Sequence, residues 1–444
     1  MKRPTRSRNI STRKPAEAAS RSSRPEKVAS KPTARPAAAP PTATATGFTV
    51  SPETARMIAL GHPWVIADSW TRRWPAGRIG DVVVLTDAAG VALATALRQP
   101  GDRIEARILG PGRISFSAAW LTAKLKAARR LRQQHGLLEA TDAYRLVNAE
   151  GDGLPGLAVD VYGAYLMVQF YAPIWEPHRQ LLLAALQEVM APAGIYGKGR
   201  PRDTRRLEAD SAQEYQGELL AGNHAPRRLM VEENGLRYLV RLDEGLHTGL
   251  FPDQRVNRQD LMRRVKGKRV LNLFCYTGAF SVAAAAAGAR QVTSVDVSAP
   301  SMRWAEDNFG LNRLDVRRHV FLTEDVFAAL ERLRAQGEPF DLVLMDPPAF
   351  STTRKNRFST RGGTARLVTM ALGVLAEGGL LISSCNHQKV SEADYLKELR
   401  RGALDAGCNL QVIRQAGQPE DFPFPVGFAE GCYLKYVTAV KCPL

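Results

Sequence analysis

Between residues 269 and 406 one pattern recurs: a short apolar run, a turn, then a segment of helical length. Apolar runs occupy 269–274, 291–296, 340–345 and 379–384, and helical segments follow over 279–287, 300–311, 364–375 and 392–406. Strands this continuously apolar need cover on both faces, and intervening helices supply it. The expected fold is α/β, a Rossmann-like doubly wound domain around a mainly parallel sheet. Ligands of such sheets bind beyond the carboxyl ends of the strands, so the residues that close each run are the candidates for chemistry.

The first run closes with Asn272-Leu-Phe274-Cys-Tyr276-Thr277-Gly278. One glycine is not a dinucleotide fingerprint, and no Gly-Lys-Ser/Thr of a phosphate loop follows. It still allows close backbone approach to a ligand at a helix start. The second run ends in Asp296, where a carboxylate can accept from both ribose hydroxyls. Asp325 follows 321–324, at the expected tip of a further strand, where it can accept from an adenine amino group. A helix cap or turn is the alternative for each aspartate. The fourth motif is Asp346-Pro347-Pro348-Ala349-Phe350. Two prolines remove two backbone donors and stop the strand, leaving the carboxylate facing the cleft. An acid followed by Pro-Pro there marks methyltransferases that act on planar nitrogen or on nucleobases.

Upstream the pattern changes. Residues 81–86 and 91–96 read as two strands joined by Asp87-Ala-Ala-Gly90, as in a small β-barrel. A helix is expected over 117–136, where Leu121, Leu125 and Leu131 alternate with Lys124, Lys126, Arg129, Arg130 and Arg132. That basic face is either a solvated surface or an RNA-backbone contact. A hairpin over 156–170, a helix over 177–190, a strand near Gly194 and a hairpin turning at Asn234-Gly235 make an α+β unit.

Charge points to the partner. The net charge is +17, which favours a polyanion. Residues 1–46 carry 11 Lys or Arg against two acids and no aromatic residue. Such a stretch cannot bury enough apolar area to fold alone and is expected to be disordered. It is a phosphate-binding anchor, a solubilising extension or a transit peptide. No apolar run approaches the roughly 20 residues of a membrane span. Five cysteines in 444 residues, without zinc-like Cys/His spacing, exclude a disulfide framework and suggest a reducing compartment.

The ordered motifs resemble class I S-adenosylmethionine-dependent methyltransferases. More narrowly, residues 49–441 resemble the RlmI-type bacterial 23S rRNA cytosine-C5 methyltransferases. Gly61-His-Pro-Trp64-Val is similar to the start of that family's RNA-binding PUA domain. Tyr144 to Gly156 is similar to the opening of its middle domain. His247-Thr-Gly249-Leu-Phe-Pro-Asp253-Gln254-Arg255 is similar to the segment that lines the methionine end of the cofactor site in relatives. The resemblance implies a disordered tail over 1–46, a PUA-like domain over 47–112 and a linker helix over 113–140. It implies an α+β middle domain over 141–240 and the catalytic domain over 241–444.

It further implies S-adenosyl-L-methionine as cofactor, held by Asp253, Gln254, Arg255, Asn272, Phe274, Tyr276, Thr277, Gly278, Asp296, Asp325, Asp346 and Pro347. Cys385, in Ser383-Ser384-Cys385-Asn386-His387, becomes the nucleophile, with Asp346 holding the target base. Such chemistry needs a thiolate, because cytosine C5 becomes nucleophilic only after addition at C6. A buried core cysteine is the alternative. His387 is either a base or a polar loop residue, and Cys275 reads as packing. Pro348, Phe350, Arg354 and Lys355 would meet the RNA, with Arg357 and Arg361 nearby. Departures from the family pattern bear on the modified atom, among them His387 and Gln388, which are not the commonest continuation of the loop after Cys385. Ala349 follows Asp-Pro-Pro where RlmI-type sequences usually carry Lys or another residue, and Phe350 to Lys355 looks like rRNA guanine-N7 methyltransferase domains. Methylation of guanine N7, or a non-catalytic RNA-binding assembly role, are the other functions. The expected partner is 23S rRNA or its precursor, the location cytoplasmic, and the resemblance implies a homodimer.

Overall fold

The computed structural model describes residues 47–134, 136–199, 216–245, 247–348, 350–352 and 357–444. The tail over 1–46 and Ala349, Arg354 and Lys355 lie outside them. The first sheet runs in the order Gly47–Thr49, Val82–Thr86, Ala92–Arg98, Ile104–Pro111, Trp64–Ile66. Its first pair is parallel and the rest antiparallel. Val83 and Leu85, then Ala94 and Ala96, point inward at the two-residue period of a strand and pack with Phe48, Val65 and Ala106. The joining turn is held by Asp87, whose Oδ1 accepts from the Ala89 and Val91 N–H groups at 3.0 and 2.9 Å.

The second sheet is ordered Glu218–Gly222, Gly194–Gly199, Tyr165–Phe170, Leu157–Tyr162, Ala143–Asn148. Tyr165–Phe170 and Gly194–Gly199 are parallel, which requires the crossover helix Arg179–Met190 between them. The helix Ala118–Gln134 does more than link. Leu121, Leu125 and Ala128 enter one core with Leu146, Leu157, Trp175, Leu182 and Ile195, and with Leu97 and Leu109 of the first sheet. Its basic face is divided: Lys126, Arg129 and Arg130 are exposed, whereas Arg132 turns inward. Arg132 is buried, with both Nη atoms on Asp152, and a further bond runs to the Asp421 carbonyl at 2.7 Å. Arg129 donates to Val189 O and Lys126 to Glu188. Alternation shows that a face is polar, but not whether a partner covers it. The hairpin Leu229–Glu233 with Leu236–Val240 turns at Asn234 and Gly235, both at positive φ (52° and 77°), as a two-residue primed turn requires.

The third sheet has seven strands: β1 Arg269–Leu273, β2 Gln291–Asp296, β3 Val320–Thr323, β4 Phe340–Met345, β5 Leu375–Cys385, β6 Asn409–Ala416 and β7 Lys435–Cys442. Their order is β3-β2-β1-β4-β5-β7-β6. β1 to β5 are parallel, and β7 is antiparallel to β5 and β6. The helices are α1 Ala279–Ala286, α2 Ala299–Leu311, α3 Val326–Gln336, α4 Thr360–Leu372 and α5 Glu392–Asp405. Pleating sends Val270, Leu342, Leu344 and Ile382 to one face, against Phe280 and Ala284 of α1. It sends Leu271, Val343, Met345 and Leu381 to the other, against Leu330 of α3, Leu367 of α4 and Leu399 of α5. Each such buried side chain contributes about 1.5–3 kcal/mol.

The strand order reverses between β1 and β4, so a crevice opens beyond their carboxyl ends. β5 starts four residues before the apolar run suggests, because Leu375 already pairs with Phe340. β6 is not legible as a strand, being an edge with mostly polar or exposed residues. Among the described residues no helix is long and apolar enough to cross a membrane.

Candidate active site

The loop from β1 to α1 departs from ordinary backbone. Phe274 and Tyr276 hold φ of 58° and 50°, a conformation that costs roughly 1–3 kcal/mol for a residue with a Cβ. Surrounding bonds enforce it. The Cys275 N–H donates to Val295 O, the Thr277 hydroxyl to Gly249 O at 2.5 Å, and Asn308 Nδ2 to Thr277 O at 2.9 Å. Gly278, φ 73°, is the N-cap of α1, and a Cβ there would stand 2.7 Å from the Ala305 Cβ. Only glycine allows α1 and α2 to approach this closely at the loop.

Asp296 closes β2 against this loop. Its two carboxylate oxygens accept the Tyr276 and Ser298 N–H groups, each at 2.9 Å. Burial pushes its carboxyl above the usual range, against those backbone bonds. Asp325 is the N-cap of α3, its Oδ1 accepting from the Phe327 and Ala328 N–H groups at 3.1 and 3.3 Å. The capping role is thus present there.

β4 ends in Asp346, adjacent to the end of β5, with Met345 paired to Ser383. Gln254 Nε2 donates to Asp346 Oδ2 at 3.1 Å and to Ser384 Oγ at 2.9 Å. Burial pushes the Asp346 carboxyl up to about 6, helped by the nearby charge of Asp253 and opposed by bonds from Ser384 and Gln254. Cys385 closes β5. It has no exposed surface and belongs to the core beside Met345, Tyr395 and Val437. Burial raises its thiol; the His387 N–H and the Lys435 ammonium lower it, and Asp346 raises it.

The segment before β1 divides in two. Asp253 and Gln254 face the crevice side, Asp253 accepting from the Tyr433 hydroxyl at 2.7 Å and Gln254 bridging to Asp346. Arg255 departs from the ligand role its motif implies. Its guanidinium is buried and bound to Asp421, at 2.6 Å for the shorter bond, so it fixes the loop that carries Tyr433. Asn272 departs likewise: it is buried and donates to Ser281 Oγ at 2.9 Å beneath the loop. Thr277, also buried, is spent on Gly249. Arg258, which the sequence gives no reason to single out, makes a buried two-pronged pair with Glu233, both contacts 2.6 Å. Pro347 is buried, Pro348 is exposed, and Phe350 opens the short strand Phe350–Thr352.

Aromatic rings border the loop: His247 lies 5.0 Å from Phe251, Phe251 5.6 Å from Tyr276, and Tyr276 6.4 Å from Trp304. A cavity of about 720 Å³ opens where the three sheets meet. Asp253, Phe251, Asn386 and His387 line one side; Arg145, Asp160, Gln169 and Tyr171 of the second sheet line another; Trp64 and Arg107 of the first sheet reach its rim. The Thr248 hydroxyl, donating to the Tyr162 hydroxyl at 2.7 Å, ties the segment to the second sheet. Trp64 Nε1 and Arg107 both donate to Glu150, while the Trp64 ring packs 4.7 Å from Phe428. Sequence motifs found the strand ends. They gave no sign of Tyr433, Lys435, Asp421 or the second-sheet wall.

Residues 145–433 match the family model of S-adenosylmethionine-dependent methyltransferases. Ribosomal RNA large subunit methyltransferase I of Escherichia coli O139:H28 (strain E24377A / ETEC) is 34% identical over 377 residues, 84% of this chain and 94% of that protein. The protein of the same name from Shigella dysenteriae serotype 1 (strain Sd197) is 34% identical over 379 residues, 84% and 93% of the two chains. A crystal structure described as a methyltransferase complexed with SAH superposes with a TM-score of 0.79 at 29% identity, covering 89% of this chain and 99% of its own.

Proposed function

The chain belongs to the family of S-adenosylmethionine-dependent methyltransferases, and we propose that it forms 5-methylcytosine in the 23S RNA of the large ribosomal subunit. The observation that carries this reading is the juxtaposition of Asp346 and Cys385 at the ends of the adjacent strands β4 and β5. The groups beside them fit the cofactor chemically. Asp296 and Asp325 end the strands where ribose hydroxyls and an adenine amino group need acceptors, and the rigid Phe274 to Gly278 loop offers its backbone. Asp253 and Gln254 serve the methionine end. When bound, the cofactor supplies the electrophilic methyl group that C5 takes up.

The chain's own groups do the rest. The Cys385 thiolate adds to C6 of the cytosine, and electron density moves to C5. A carboxyl that ionises near 6 keeps part of its population protonated near neutral pH, so Asp346 can donate a hydrogen bond to N3 as charge develops there. Loss of the C5 proton then expels the sulfur and restores the ring. The 47–112 sheet is read as a PUA-like RNA-binding domain, and the middle unit as a wall of the substrate cleft. The target base must leave its stack to enter such a cleft.

One observation favours a second reading, methylation of another base atom such as guanine N7. Cys385 has no exposed surface, as a purely structural cysteine would. One experiment separates the two. Wild type and Cys385→Ala are incubated with methyl-labelled S-adenosylmethionine and unmodified 23S rRNA, and the nucleosides are identified by mass spectrometry. Labelled 5-methylcytosine that vanishes in the variant is the expected result. Label on another nucleoside that survives the substitution sinks the cysteine mechanism and leaves the cofactor assignment standing.

A further inference from the structure

We propose that Lys435 is a positioning residue that favours ionisation of the Cys385 sulfur against its burial; this rests on the reading of Cys385 as nucleophile. Cys385 and Lys435 are direct partners across the antiparallel pair β5 and β7. Residues so placed share one face of a sheet, with Cβ atoms about 4.5–5.5 Å apart. Lys435 is buried, only 6% exposed. Its ammonium donates to His387 O and to Tyr433 O, both at 2.8 Å, and these carbonyls flank the turn that follows Cys385. The two carbonyls solvate this buried ammonium without neutralising it, and Cys385 is its cross-strand partner on the same face of the sheet.

The groups around the thiol act in opposite directions. From β4, Asp346 opposes ionisation; from the turn, the His387 N–H favours it; from β7, Lys435 favours it. From α5, the Tyr395 hydroxyl is engaged with Ser383 and with the Ser384 carbonyl at 3.0 Å. Glu392 at the start of α5 and Cys432 act on the lysine itself. Lys435 is thus the full positive charge set against both burial and Asp346. Burial lowers the lysine's own pKa, and the charges of Cys385, Cys432 and Glu392 oppose that loss of its proton. The thiol proton leaves to solvent, and the ammonium stabilises the anion left behind. Tying the turn is a second duty of the same group, and it moves no titration.

The test is carboxamidomethylation of Cys385 by iodoacetamide as a function of pH, quantified by peptide mass spectrometry. It uses the full chain without RNA or cofactor, as wild type, Lys435→Gln, Lys435→Met and Lys435→Arg. Because this sulfur is buried, a wild type that labels at no pH faster than the thiols of a urea-unfolded chain, or not at all, overturns the proposal. An opposite charge at this range shifts a thiol by about one pH unit or more. The midpoint is therefore expected to rise by about one unit in the two neutral variants, with roughly tenfold slower labelling at pH 7.5. Lys435→Arg should keep the midpoint near wild type. An unmoved midpoint in the neutral variants overturns the proposal, as does an equal shift in Lys435→Arg. Failure of both neutral variants to fold would assign Lys435 to the fold alone and also overturn it. Labelling needs neither RNA nor turnover, so a methyl-transfer-competent Cys385→Ala would sink the nucleophile reading without altering this result.

Discussion

Replacing Asp346 by Asn should make the protein more stable at neutral pH while abolishing methyl transfer. Burial raises this carboxyl from 3.8 to about 6. Ionising it in the folded state therefore costs about 3 kcal/mol more than in the unfolded chain, at ~1.4 kcal/mol per pH unit. The sign follows from proton binding. Between pH 3.8 and 6 the unfolded state has released this proton and the folded state still holds it. Stability from this group is therefore present in full below that window. It falls as pH rises through the window and stays lowered above it. An Asn side chain removes the ionisation but can still accept from Gln254. Asp346→Asn should gain about 1–3 kcal/mol at pH 7.5, allowing for relaxation around the site, and much less at pH 4.5. The assay is urea denaturation of both proteins at the two pH values. A variant less stable than wild type at pH 7.5 would refute the reasoning, as would an equal change at both. The first outcome would mean that the carboxylate is held by favourable partners rather than penalised by burial.

Other consequences are as direct. Arg258→Met leaves Glu233 charged, buried and without its two 2.6 Å contacts, so it should cost about 3–5 kcal/mol in the same denaturation assay. A Glu233→Leu change added to it should recover much of that loss. Gly278→Val puts side-chain atoms where a Cβ already stands 2.7 Å from Ala305, at a left-handed φ. Cofactor binding by calorimetry should weaken at least tenfold, and an unchanged affinity would show that the loop does not carry the site.

Much of the catalytic domain was legible because its evidence is local. Four apolar runs, each closed by a glycine loop, an aspartate, Asp-Pro-Pro or a cysteine, fall on β1, β2, β4 and β5. Periodicity reports burial, and the residue after a buried parallel strand must emerge at the same edge of the sheet. The Asn234-Gly235 turn was legible for the same reason, since its backbone demand is met by the two residues themselves. The arginines were not. Arg132 and Arg255 read as surface and ligand cations, yet Asp152 and Asp421 hold them inside. A charge is buried or exposed according to what packs over it, and Asp421 arrives from 166 residues downstream of Arg255. The same holds for Tyr433 on Asp253 and for Lys435 opposite Cys385. The sequence by itself determined the class of fold and which residues stand at the carboxyl edge of its parallel strands. Tertiary structure decided the ionisation of those groups, because it depends on burial and on charges delivered from distant strands.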